Sequence, residues 1–311
     1  MSTRKNRFLR KTKRSRRQQR RENAFKKATC NVANKQDNAT KEYSCYDKQT
    51  LLKLRNMWNA RHPDVKIKSS RPKTIWKQLR DYQRNTCNIE SCWLDQSYVK
   101  HNIHSKQMDT IFAPSLPSQL KKDPDTWLTS IDLEKAMKDY EKKYSNFCFI
   151  GPSPLDYDTK LSSGECVWDE LCNFDLRTHI NNGIKTIGVI FNLDKHYEVG
   201  SHWVAVIIDL RHWNVCFFCS YGSKPETEHT RFMETVKSQA KEYYGKTMKE
   251  CYNPHRYQKY TTNECGIYCM YVIIQIIKGK RFYDVVGKTK KKDLNDAYMN
   301  TLRTSLFYNK V

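Results

Sequence analysis

No stretch of this chain is apolar for long enough to cross a membrane, and no apolar leader opens it. A bilayer core needs about 20 predominantly apolar residues in one helix, whereas the strongest run here, Met270 to Ile277, stops at Lys278-Gly279. These absences argue against a membrane span and against a secretory signal. Acidic residues are scarce as well: 33, against 56 lysines and arginines, for a formal net charge of +23 in 311 residues. That balance says nothing about fold but implies an anionic partner or surface, most often nucleic acid. Yet no zinc-finger spacing, recognition helix or RNA-binding signature accompanies it. Cysteine is plentiful by contrast. Twelve of them without a secretory signal are expected to be reduced thiols in a cytosolic or nuclear setting.

The charge is uneven. Residues Arg4 through Lys27 hold thirteen Lys or Arg and one acid, Glu22. Such a block repels itself and has no apolar periodicity, so 1–40 is expected to be a disordered basic tail that contacts nucleic acid through 4–27, acts as a nuclear-import signal or only confers solubility. From Tyr43 the texture changes. Leu51, Leu52, Leu54, Met57 and Trp58 share a helix face behind the capping residue Asp47, and Ile75, Trp76, Leu79 and Tyr82 form a second helix after Pro72. Cys30, Cys45, Cys87 and Cys92 lack a tight Cys-x2-Cys pair and read as buried thiols rather than a zinc site. Residues 41–110 are thus a small helical accessory domain. The linker 111–124, containing Ala113-Pro114-Ser115-Leu116-Pro117, separates it from 125–311.

In that larger segment Ile131, Leu133, Met137, Tyr140 and Tyr144 have helical spacing after Ser130 or Asp132. Asn146 to Gly151 is a short strand. Three further strands are expected at Thr186–Leu193, His202–Leu210 and Asn214–Ser220, the last two joined closely enough for a hairpin. Helices follow around His229–Tyr244, with Gly245 as its stop, and around Leu294, Tyr298, Leu302 and Leu306. Strands in the middle with helices on both sides indicate an α+β class, with a central mixed or antiparallel sheet flanked by helices.

The chemistry concentrates at Asn263-Glu264-Cys265-Gly266-Ile267-Tyr268-Cys269. Polar residues give way at Cys265 to a segment apolar on every side, which fits a buried helix ended by Gly279. Cys265 at its N-terminus is favoured as a thiolate by unpaired N–H groups and the macrodipole. His202 opens a strand beside the Tyr197–Ser201 loop and can take up and return a proton near neutrality. Gln258, seven residues before Cys265, offers an amide donor to an oxyanion. Taken singly, His202 is a structural histidine and Gln258 a surface residue; together they supply a base and a donor to a nucleophile.

The order His-Trp at a strand start, Phe217-Phe218-Cys219-Ser220-Tyr221-Gly222, Gln258, then Glu264-Cys265-Gly266-Ile267-Tyr268 resembles the adenain and ubiquitin-like-protein-specific cysteine protease superfamily. The likeness extends over Asp125 to Val311 and is greatest to the processing proteases of large cytoplasmic DNA viruses. Tyr43–Trp93 resembles the extra N-terminal segment of those viral members. The resemblance implies an adenain-like fold, with His202 as base, Cys265 as nucleophile, Gln258 as oxyanion donor and Trp203 shielding the histidine. It also implies a thiol endopeptidase that cuts viral structural polyproteins after small residues, Gly-Gly-x, during virion maturation, with no cofactor and no metal. That reading places the protein in the virion and host cytoplasm. The alternatives are a deSUMOylating or deubiquitinating isopeptidase acting on ubiquitin-like precursors, with the nucleus as its site, and an inactive nucleic-acid-associated virion protein on a protease fold. One position departs: the family's Asp, Glu or Asn after the second strand of the pair falls on Cys219. Either Cys219 is tolerated in a Cys–His dyad, or Asn192, Asp194 or Ser220 orients His202, or the enzyme is impaired. Cys216 and Cys219, three apart on a strand, point to opposite faces and do not form a chelate.

Overall fold

The computed structural model describes residues 25, 28–34, 40–100, 110–117, 123, 126–289, 291 and 293–307. The basic stretch 4–27, apart from Phe25, lies outside them, as do 118–122 and 124 of the linker. Residues 28–34, expected to belong to a disordered tail, are instead ordered, with Ala28 buried, Cys30 bridged to Cys45 and the Asn31 N–H donating to the Ile111 carbonyl at 3.0 Å. The chain divides into two compact units, one ending at Ser115 and one running from Leu116 to Phe307.

In the first unit, helix α1 (Lys48–Arg61) is capped by the Asp47 side chain, which accepts the Thr50 N–H at 2.7 Å. Helix α2 (Pro72–Gln83) begins with proline at its first position, where a missing N–H costs nothing. Their apolar faces bury Leu51, Leu54, Ile75 and Leu79 around Trp93, which lies parallel to the Tyr46 ring at 5.8 Å. Glu90, buried in the same core, accepts from the Ser44 hydroxyl, the Cys45 N–H and the Trp76 indole at 2.7, 3.0 and 3.0 Å. These hydrogen bonds offset its desolvation.

The expectation of reduced cysteines is corrected here. Cys30–Cys45, Cys87–Cys92 and Cys166–Cys172 are disulfides, with Cα atoms 5.2, 5.6 and 6.2 Å apart. Those separations lie in the range a bridge requires. The four accessory-domain cysteines are therefore neither zinc ligands nor thiols. The other six are free.

The second unit holds a five-stranded mixed sheet in the order β1 (Phe147–Ser153), β2 (Thr186–Asn192), β3 (Trp203–Asp209), β4 (Asn214–Phe218) and β5 (Lys249–Tyr252). The inner pairs β2–β3 and β3–β4 are antiparallel, and the outer pairs are parallel. Side chains alternate across the pleat. Ile190, Ala205, Ile207, Cys216 and Phe218 face a core shared with helices α3 (Ser130–Lys143) and α5 (Cys265–Ile277). Ile187, Val189, Phe191, Val204, Val206, Val215 and Phe217 face the other layer, closed by α4 (Thr227–Tyr244). Cys216 and Cys219 accordingly fall in different cores. The sheet is buried on both faces, which is why β2 and β3 read as continuous apolar runs.

Helix α3 starts one residue earlier than its periodicity suggests. Thr129 is the cap, and Asp132 completes a reciprocal capping box with it. Helix α4 ends on Gly245 in the left-handed conformation, and α5 passes through Lys278 to Gly279, also left-handed. The close seat of α5 on the sheet depends on Gly188. A Cβ there would stand 2.9 Å from Ile273 Cγ2. Two short helices complete the layer, α6 (Phe282–Val286) and α7 (Asp296–Leu306), the latter capped by Asn295.

Candidate active site

Cys265 is the first residue of α5, and its side chain is buried, with 1% of the residue exposed. Its helix begins there because the preceding segment is pinned from outside. Arg303 on α7 donates to the Glu264 carboxylate at 2.8 and 3.1 Å and to the Asn263 carbonyl at 3.2 Å. The Trp127 indole donates to the Asn263 side chain. Two forces oppose each other at the sulfur. Burial pushes the Cys265 thiol up to about 11, while backbone hydrogen bonds from Trp203, Gly266 and Cys265 itself pull it down. Burial wins, so the acidic thiol expected from the helix terminus is instead protonated at neutral pH.

His202 precedes β3 and is buried. Its Nε2 lies 3.4 Å from the Cys219 sulfur, and its buried Nδ1 has no hydrogen-bond partner among the described residues. Burial lowers its pKa to about 4, so the ring is neutral at neutral pH and the pocket by itself disfavours the imidazolium. The same Trp203 whose N–H favours the Cys265 thiolate carries its indole over α5. That indole donates to the Leu128 carbonyl at 3.1 Å, and its Cδ1 would stand 3.4 Å from a Cβ at Gly266. Cys269, one turn into α5, donates its thiol to the Trp203 carbonyl at 3.4 Å. Cys219, Cys265 and Cys269 are close enough for their charges to interact.

Cys219 is the residue at His202, not one of the alternatives. Ser220 donates its hydroxyl to Gln258 Oε1 at 2.7 Å. Asn192 spends its carbonyl oxygen on the Asp194 and Ser201 N–H groups. Asp194 lines a neighbouring groove. Cys219 itself is clamped by Asn253, which accepts its N–H at 3.0 Å and donates to its carbonyl at 2.8 Å. Gly222 closes the turn with φ of 75°, and any Cβ there would strike the His255 backbone at 2.8 Å.

Gln258 is buried rather than on the surface. Its backbone N–H donates to the Ser220 carbonyl at 3.1 Å, and its amide nitrogen donates to the Thr262 carbonyl at 2.5 Å. An amide nitrogen carries two protons, so a second remains to be directed at a ligand. A groove of about 540 Å3 reaches Trp203 and is walled by Trp127, Leu128, Pro152, Trp168 and Val199, with Asp194, His196 and Glu198 as polar members. The motif residues thus converge on one locus. Asn253, Arg303 and Trp127 were not singled out from sequence; each acts through contacts far along the chain. Tyr221 lay inside the quoted motif, but its place against His202, with ring centroids 4.2 Å apart, carried no sequence signal. Among the described residues no cluster of His, Cys, Asp or Glu is arranged to hold a metal ion.

Comparison with known proteins fits this geometry. The model of the Ulp1 protease family, C-terminal catalytic domain, matches residues 97–310. A protein of Acanthamoeba polyphaga mimivirus, named as a thiol protease, is 30% identical over 275 residues, covering 86% of this chain and 85% of that one. A cysteine protease of African swine fever virus is 23% identical over 251 residues, covering 76% of this chain and 89% of its own. The crystal structure of an African swine fever virus protease superposes with a TM-score of 0.60 at 20% identity, covering 91% of this chain and 96% of that one, which shows a shared fold. With its sheet, its cysteine-headed helix and this match over most of its length, the chain belongs to the Ulp1 protease family and is a cysteine protease.

Proposed function

We propose that this cysteine protease is an endopeptidase in which Cys265 is the nucleophile, His202 the base and Gln258 an oxyanion donor. The observation that carries the reading is the setting of the imidazole: Nε2 lies 3.4 Å from the Cys219 sulfur, and buried Nδ1 has no hydrogen-bond partner among the described residues, beside the Trp203 backbone that bonds the Cys265 sulfur. The Cys265 proton passes to Nδ1 as sulfur adds to the scissile carbonyl. The resulting oxyanion is met by the Gln258 amide and backbone N–H groups. His202 then returns the proton to the departing amine, and water, activated by the same imidazole, frees the acyl group and restores the thiol.

The substrate is a viral structural polyprotein precursor cut after Gly-Gly during virion maturation. The relatives are proteases of large DNA viruses, and a groove that reaches Trp203 offers room for an extended peptide. The basic tail, 4–27, keeps the enzyme on nucleic acid inside the particle, with virion and host cytoplasm as its compartments. A second reading has its own support, because relatives from other African swine fever virus isolates are named SUMO-1 cysteine proteases. Incubation with a Gly-Gly-x polyprotein peptide and, separately, a SUMO precursor distinguishes the two. Cleavage of the peptide, abolished in Cys265→Ala, is expected. Cleavage of the modifier alone would move the assignment to an isopeptidase. Failure of the wild-type protein to react with a peptide vinyl sulfone would indicate a silent virion protein.

A further inference from the structure

Proton transfer from Cys265 creates a positive imidazolium in a buried pocket, and charge without a partner is costly there. In this chain no carboxylate hydrogen-bonds His202 among the described residues; its hydrogen-bond neighbour is the Cys219 sulfur at 3.4 Å. A neutral thiol is a weak acceptor and adds no compensating charge. A second contact lies on the ring face. Tyr221 stacks on His202 with centroids 4.2 Å apart and planes 9° from parallel. Tyr260 backs Tyr221 at 4.9 Å, and the Arg256 guanidinium lies 4.6 Å over Tyr260. The Tyr221 ring is therefore fixed by two aromatic neighbours, His202 and Tyr260.

Resting on the Cys265–His202 reading above, we propose that Tyr221 is the positioning residue for the base, its π-face stabilising the imidazolium in place of the absent carboxylate. A flat aromatic against the ring fixes its rotation about χ2. It presents negative quadrupole to the charge that appears when Nδ1 is protonated. Cys219 complements this from the edge: with its sulfur 3.4 Å from Nε2, acceptance from Nε2–H would leave the lone pair on Nδ1. Face and edge together supply orientation and charge stabilisation, divided between two residues.

The titratable groups around this stack are Cys265 on α5, Cys219 after β4, Tyr260 and Asp296, all of which act on Tyr221, with Cys269 behind Cys265. Asp296 is occupied by the Lys259 N–H and the Tyr268 hydroxyl at 3.1 and 3.0 Å. The experiment needs no substrate. The rate of carbamidomethylation by iodoacetamide is followed at Cys265, resolved by peptide mass, from neutral to alkaline pH in the full-length protein. At neutral pH the rate reports the fraction of thiolate–imidazolium pair. At alkaline pH hydroxide removes the proton, and His202 plays no part.

Tyr221→Phe keeps the π-face, and its neutral-pH rate is expected within about twofold of wild type. Tyr221→Leu is expected to lower that rate about tenfold, as loss of a desolvated cation–π contact implies, while leaving the alkaline rate nearly unchanged. An unchanged neutral rate in Tyr221→Leu, or an equal fall at both ends, would overturn the proposal; the second outcome marks mere packing. Should Tyr221→Leu fail to fold, Tyr260→Leu alters an exposed ring and withdraws the backing of Tyr221. A fall of about threefold at neutral pH alone is expected, and no fall overturns the proposal. A wild-type profile that rises only with hydroxide would instead sink the Cys265–His202 pair itself. The two failures are thus distinguishable.

Discussion

At the residue scale, His202 and His229 show how one physical force serves two purposes. Burial lowers both from 6.5 to about 4. His202 is thereby kept a neutral acceptor, whereas His229 is structural. Its Nδ1 accepts the Glu226 N–H at 3.1 Å, and its ring stands edge-on to Phe191 with centroids 5.0 Å apart. In both cases the unfolded chain binds protons that the folded chain refuses, so stability rises with pH across that window. Stability is therefore fully present above about 6.5 and lost as pH falls towards 4. Each group contributes at most about 3 kcal/mol. Urea midpoints between pH 7 and 4 should fall accordingly, and His229→Gln should remove about half of the slope. A slope unaffected by His229→Gln would assign the acid limb to other groups. Cys265, His202 and Gln258 were legible as a motif because their chemistry is written in residue type. The assignment of Cys219 over Ser220 and Asn192 was not legible, since it depends on which neighbour each side chain has already engaged.

At the scale of elements, periodicity predicted α1 to α5 and β1 to β4 to within a few residues. The edge strand β5 was missed. It pairs on one side only and buries a single side chain, Cys251, so it has no apolar alternation to detect. The clamp between α7 and the start of α5 was equally invisible, because Glu264 and Arg303 are 39 residues apart. Both side chains are about 95% buried, and removing one partner from such a pair is far costlier than removing both. Arg303→Met should lower the unfolding free energy by about 3–5 kcal/mol, with Glu264→Gln in the same chain recovering part of it. Chemical denaturation of the two variants measures this. Equal losses would mean that the pair is not coupled. Arg303→Met should also depress activity, since it removes the guanidinium that holds the Glu264 carboxylate next to Cys265.

At the scale of the whole molecule, the order of expected helices and strands foresaw an α+β body. Composition misjudged six of the cysteines, because pairing is a property of three-dimensional proximity. Under denaturing, non-reducing conditions six thiols should titrate rather than twelve. Cys30→Ser with Cys45→Ser, opening a loop of sequence separation 15, should destabilise the first unit by about 3 kcal/mol, seen as an earlier melting transition. Twelve reactive thiols, or an unshifted transition, would return these cysteines to the reduced state. The clamp from α7 has one more consequence, in time rather than space. Ribosomes deliver a chain from its N-terminus, so Cys265 and Glu264 are made before Arg303 exists to neutralise the carboxylate and fix the turn. A nascent chain therefore carries its thiol in a setting that lacks these contacts until the Arg303 helix has been made.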